Sequence, residues 1–199
     1  MEQKIIKDKI QIAQSVTEKL VRIHKNKIIA IGAFGSIANN SYDQYSDIDL
    51  VIITKIRIKD KFFILVNSNN DSEEKPILGR DVKVSLFFRT KKEASSQLSS
   101  ISDFSWLIKV AMLLDVLPLH DPKNMFSTLQ NEYVNLKKNL LTSEKINQLA
   151  GKWLSVAYEF LGKINKSNSS QQESFVYVER FSFAIAGVYK ALHQDYFRN

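Results

Sequence analysis

The chain has no cysteine, three prolines, six glycines and three histidines in 199 residues. The absence of cysteine excludes disulfides, zinc–thiolate centres and a cysteine nucleophile in one step. It is compatible with a reducing compartment, and a cytoplasmic location is the expectation. His24, His120 and His193 lie far apart, which argues against a histidine-built metal site. Long apolar runs are also missing. The apolar-rich stretch over 107–119 is broken by Lys109 and Asp115 and stopped by Pro118, well short of the ~18 apolar residues of a membrane span. The opening M-E-Q-K-I-I-K-D-K-I alternates charge and lacks the apolar core of a signal peptide. Lysines and arginines form no run of five, and no basic tract is interleaved with aromatics, so nothing marks a nucleic-acid groove.

What is present is globular. Apolar residues make up 44% and aromatics 11%, enough for one good-sized domain or two small ones with a real core. The net charge of +7 biases the surface towards anionic partners such as nucleotides, although a solvated basic surface accounts equally well for most of the lysines. Apolar spacing predicts a helix over 4–24. A β-branched strand over 27–31 leads into Gly32, and a second strand spans 47–54. Residues 59–66 read as either helix or strand, and 67–75 as a polar loop. Period-two alternation predicts a third strand over 81–88. Thr90 and Glu93 form a capping box that opens a helix to about 99. Helical spacing follows over 102–117. Asp121 and Pro122 read as an N-cap and first helical residue, opening a helix to about 140. A long helix covers 143–164, and a second capping box at Ser170 and Glu173 opens the last one, to about 197. The expected class is α+β, mixed over 1–100 and all-helical over 101–199.

One stretch carries chemistry. Residues 35–49 read G-S-I-A-N-N-S-Y-D-Q-Y-S-D-I-D. Glycine after a strand permits positive φ and close backbone approach. If Ser36 opens a helix, amides there make an anion site. Asp47 and Asp49 stand two apart on a strand and so share a face, while Ile48 and Leu50 face the core. Two adjacent carboxylates repel unless a cation lies between them, and hard oxygen donors suit Mg²⁺. Taken singly, each feature is equally a plain turn or a solvated strand end; their fixed order after two β-like runs is what gives them weight.

I-G-A-F-G-S followed, ten residues on, by S-D-I-D-L-V-I-I resembles the nucleotidyltransferase signature of the DNA polymerase β superfamily. The likeness is to its minimal and small-molecule branches, including the aminoglycoside and lincosamide nucleotidyltransferases and those of toxin–antitoxin systems. The resemblance implies a small mixed sheet flanked by helices, followed here by a helical bundle. It implies that Gly35 and Ser36 bind nucleotide phosphates and that Asp47 and Asp49 ligate Mg²⁺. ATP would then be the substrate, with AMP transferred to a hydroxyl and pyrophosphate released.

The family usually carries a third carboxylate on the next strand. Here that strand is D-V-K-V-S-L-F-F, and Asp81, Lys83, Ser85 and Phe87 share one face. Asp81 is the candidate third catalytic and metal-binding residue, with Lys83 beside it as a phosphate ligand. If the position falls on Lys83 or Ser85 instead, the carboxylate is missing, and a base from the helical half, Glu159 or Glu179, becomes the alternative. Three functions follow. The first is transfer to a small hydroxyl-bearing acceptor, antibiotics included. The second is transfer to a partner protein, as in antitoxin-like members. The third is a catalytically weakened nucleotide-binding module. Trp153, Tyr158, Tyr177, Phe181 and Tyr189 recur at helical spacing and read as core packing rather than a ligand wall. The amphipathic helices also suggest a homodimer face.

Overall fold

The computed structural model describes residues 2–43, 46–59, 63–66, 82–101, 105–165 and 170–193. The elements in chain order are α1 (Glu2–His24), a short 3₁₀ turn (Lys25–Lys27), β1 (Ile28–Phe34), β2 (Ile48–Thr54), β3 (Phe63–Val66), β4 (Val82–Thr90), α2 (Lys91–Ser99), α3 (Trp106–Leu114), β5 (Val116–His120), α4 (Met125–Leu140), α5 (Ser143–Ile164) and α6 (Gln171–His193). Two compact units emerge. One takes Met1–Ser96 with Met112–Glu132, the other Gln97–Ala111 with Tyr133–Asn199. The class is α+β, as the residue patterns imply.

The first unit is built on a five-stranded sheet of order β3-β4-β2-β1-β5. It is mixed, because β2 and β4 run parallel while the other pairs are antiparallel. On one face Ile48, Leu50 and Ile52 of β2 and Val84 and Leu86 of β4 pack with Ala13, Val16 and Leu20 of α1. Each of these Val, Leu and Ile side chains contributes roughly 1.5–3 kcal/mol when fully buried. On the other face of β2, Val51 and Ile53 are buried too, so the strand is covered on both sides and reads as a near-continuous apolar run. Only at its start does the second face open, and there Asp49 is half-buried and Asp47 exposed.

The structure departs from the sequence reading at three places. The helix read over 102–117 ends early: α3 stops at Leu114, and Val116–His120 form β5, which pairs with β1. Pro118 cannot donate to a ladder on both sides, which suits it to an edge. Gly32 opposite it leaves room, since a Cβ there would meet Val116 Cγ1 at 2.1 Å. Secondly, α4 begins at Met125 rather than at Pro122. Asp121 still caps it, with Oδ1 accepting from Met125 N at 2.6 Å and Oδ2 from Phe126 N at 3.1 Å, but Asn124 takes a positive φ of 50° that delays the helical run.

The third departure lies in the second unit. Here α5 and α6 run antiparallel, with Trp153 against Phe183 and Phe160 against Tyr177. Gly187 lets the Trp153 ring lie flat on α6, where a Cβ would sit 2.3 Å from it. Trp153 is buried, and Tyr177 and Phe181 are half-buried. Tyr158 and Tyr189 are not core residues and stand largely in solvent. Tyr158 falls five residues after Trp153, which turns it roughly 140° away from the seam between the helices. Both predicted capping boxes form. Glu93 accepts from Thr90 N at 2.7 Å and Glu173 from Ser170 N at 2.9 Å, and each Thr or Ser hydroxyl accepts in return from the Glu amide.

Candidate active site

The site grows from the end of β1. The strand delivers the chain into Gly35, whose φ of +69° is strained for any residue with a side chain. A Cβ at Gly35 would lie 3.6 Å from Asp49 Oδ2, so bare backbone runs beside that carboxylate. After Gly35 the chain winds once. Asn39 N donates to Gly35 O at 3.1 Å, Asn40 N to Ile37 O at 3.2 Å and Ser41 N to Ser36 O at 2.9 Å. Ile37 is buried and anchors the turn in the core. Asn40 at φ 51° ends it. Ser36 opens no helix, only a single tight turn.

The return to β2 is pinned locally and from afar. Asp43 Oδ1 accepts from Ser46 N and Ser46 Oγ, both at 2.8 Å, while Ser46 Oγ accepts from Asp43 N at 3.0 Å. Lys9 of α1 is fully buried, and its ammonium donates to the carbonyl oxygens of Asp43 and Ser46. A buried ammonium is costly unless hydrogen-bonded, and these carbonyls give it partners while fixing the segment that presents Asp47. The sequence reading did not single out Lys9. Its signal was its place among Ile5, Ile6, Ile12 and Ala13 on the apolar stripe of α1, where a charge needs a reason.

Asp47 and Asp49 lie at the open start of β2. The parallel register puts Ser85 directly across from Asp49. Burial pushes the Asp49 carboxyl above its ordinary value; the charge of Asp47 adds to that, while a hydrogen bond from Ser85 and the charge of Lys83 act the other way. Lys83 Nζ donates to Asp47 Oδ2 at 3.0 Å in an exposed ion pair. The hydrogen bond to Asp47 raises the lysine's own value, so it stays cationic. Phe34, across the sheet from Asp49, stacks edge-on to Phe87 with ring centroids 5.3 Å apart. An aromatic floor thus borders the carboxylates.

The chain therefore brings Gly35, Asp49, Ser85, Asp47 and Lys83 together, with Ser36 half-buried in the adjoining turn. Asp81 lies outside the described residues. Among the described residues, no group of three or more His, Cys, Asp or Glu is placed to hold a metal ion. Two carboxylates remain. One is raised by burial and by its neighbour's charge, which are the two penalties a bound divalent cation would relieve. The donor set fits a cation such as Mg²⁺ that keeps waters and takes substrate oxygens. Glu159 is engaged elsewhere, with Lys163 at 2.6 Å on the same helix.

Comparison with known proteins gives the site a family. No curated protein matches the chain. Residues 14–107 match the family model described as a nucleotidyltransferase domain. The match runs from within α1 through β1 to β4 and α2 into α3, and so takes in the Gly-Ser turn, both aspartates and Lys83. The chain carries a nucleotidyltransferase domain of the polymerase β-like superfamily over residues 14–107.

Proposed function

We propose that the protein is a Mg²⁺-dependent nucleotidyltransferase that transfers AMP from ATP to a hydroxyl group of a small molecule, antibiotics included. The observation that carries this reading is the approach of the bare Gly35 backbone to the Asp49 carboxylate, at the one place where β2 opens to solvent. A polyphosphate could lie on that backbone beside the two carboxylates. Asp47 and Asp49 would hold the Mg²⁺, which when bound offsets negative charge on the triphosphate and the departing pyrophosphate.

The remaining roles belong to the chain. The turn after Gly35, with the Ser36 hydroxyl, seats phosphate oxygens at a position set by the buried Ile37. Lys83 pairs with Asp47, and from that position its ammonium would also reach a phosphate oxygen of the nucleotide. Ser85 orients Asp49 through its hydrogen bond. Lys9 holds the loop before Asp47 so that the two carboxylates stay on one face. In the reaction the acceptor oxygen bonds to the α-phosphorus, the bond from that phosphorus to pyrophosphate breaks with its electron pair leaving on the pyrophosphate, and the acceptor's proton passes to solvent water.

The test is calorimetric titration of a non-hydrolysable ATP analogue with Mg²⁺ into the wild type and the Asp47→Asn/Asp49→Asn variant. Metal-dependent binding by the wild type and its loss in the variant are expected; equal affinity overturns the site. Incubation with labelled ATP and a panel of hydroxylated small molecules then reads the acceptor class. Label in protein, with none in small molecules, overturns the small-molecule reading.

A further inference from the structure

We propose that the α5–α6 hairpin is the docking face for a second copy of this chain, the two hairpins closing into an antiparallel four-helix bundle. The inference is independent of the catalytic reading.

Helix α6 carries two adjoining heptad seams. The inner one, Ser174, Tyr177, Phe181, Ala184, Val188 and Ala191, is buried or half-buried and faces α5. One residue further on lies the outer seam: Phe175, Val178, Ser182, Ile185, Tyr189 and Leu192, spaced 3-4-3-4-3 and exposed throughout. Apolar residues repeating at that spacing make the stripe by which helices pack at about 20° in bundles. Five of the six positions are apolar, and Phe175 and Tyr189 are 73% and 57% exposed.

The neighbouring helix continues the stripe. Leu154, Tyr158 and Leu161 of α5 are exposed, with Tyr158 at 66%. They stand roughly 80–140° around from Trp153, in the same rotational sense in which the outer seam of α6 stands from Ala184. Because the helices run antiparallel, both stripes emerge on the same side of the hairpin. At roughly 150–250 Å² for a whole aromatic side chain, Phe175, Tyr158 and Tyr189 at 73%, 66% and 57% exposure alone leave about 300–500 Å² in solvent. With the five exposed aliphatic residues added, the face reaches or passes the ~300–600 Å² of the largest patch on a typical monomer and approaches the ~800 Å² that one partner contributes to a standard interface.

The chemistry of the face selects the occupant. None of its residues is charged, in a chain of net charge +7. A charged peptide or a polyanion finds no counter-charge there, whereas a second copy meets an identical apolar stripe without opposing like charges. A two-fold axis pairs the same patch with itself, as closed dimers require.

Sedimentation and light scattering of the full chain at micromolar concentration test the proposal. A two-chain mass is expected. Ile185→Glu with Tyr189→Glu should weaken the dimer at least ~100-fold, while Val176→Glu, on the opposite side of α6, should leave it intact. Ser182→Leu, which fills the polar gap in the seam, should tighten the dimer several-fold, a gain that misfolding cannot mimic. Circular dichroism checks that helicity is unchanged. A monomeric wild type, a dimer indifferent to the double substitution, or a dimer weakened by Ser182→Leu overturns the proposal.

Discussion

The central strands of the sheet unit and the helical hairpin of the other unit use apolar residues in opposite ways. Ile48, Leu50, Val51, Ile52 and Ile53 of β2 are all fully buried, whereas α5 and α6 leave Tyr158, Phe175, Ile185, Tyr189 and Leu192 in solvent. In the first region a polar residue is the anomaly: Asp47 and Asp49 sit where the burial of β2 ends, with Ser85 buried beside Asp49 and Lys83 exposed beside Asp47. In the second the exposed apolar residue is the anomaly. The lesson is that each unit marks its working surface by what breaks its own pattern. Chemistry is built on a strand whose register cannot slip, since a one-residue shift would turn its apolar set to the wrong face. Association is built on helices that have a second stripe to offer.

The greatest change should come at Asp49. Asp49→Asn should lower transfer at least ~10³-fold, since a cation site is worth several kcal/mol to the transition state. The same change should hold or raise the thermal midpoint, because it removes a charge that burial opposes. A loss of stability in step with activity would make Asp49 structural instead.

Next come the apolar residues. Leu50→Ala should cost ~2–5 kcal/mol in denaturant unfolding, whereas Ile185→Ala should change the stability of the separated monomer by less than ~0.5 kcal/mol. Similar values at the two positions would erase the distinction between the regions.

A smaller effect is expected at Lys9. Lys9→Met keeps the stem but strips the ammonium from the Asp43 and Ser46 carbonyls. It should cost ~1–3 kcal/mol of stability, and it should weaken Mg²⁺-dependent nucleotide binding by loosening the segment before Asp47. A variant that loses stability but binds nucleotide normally would confine Lys9 to the core.

The smallest effect is at the cap of α2. Hydrogen bonding to the Thr90 amide lowers the Glu93 value, so its contribution is present above the ordinary glutamate value of 4.5 and is lost as pH falls through the lower folded value. Thr90→Ala should cost ~1 kcal/mol at neutral pH. Thermal melts between pH 3 and pH 7 should show Glu93→Gln losing less than wild type on acidification.

Much of this architecture was legible from residues alone. The strands before Gly35 and after Asp47, both capping boxes and the 143–164 helix are local patterns, and local patterns are dictated by side-chain periodicity and by nearby hydrogen-bonding groups. The misses are non-local. Val116–His120 became a strand because β1 offers an edge and Gly32 offers room, neither of which lies near it in sequence. Tyr158 and Tyr189 were read as core because helical spacing shows that residues share a stripe but not whether anything covers it. Lys9 was passed over because its partners lie more than thirty residues away.

The family signature, the pairing of Asp47 and Asp49 on one strand face, and the succession of a mixed first half and a mainly helical second half can be read locally, since these follow from spacing along a single strand or helix. Tertiary structure alone decided that Ser85 stands opposite Asp49, that Lys83 holds Asp47, and that Gly35 brings backbone to the Asp49 carboxylate. Those relations exist only once β4 takes its parallel register beside β2 and β1 hands its chain into the turn through the positive φ of Gly35. No residue pattern states which strand will lie beside which.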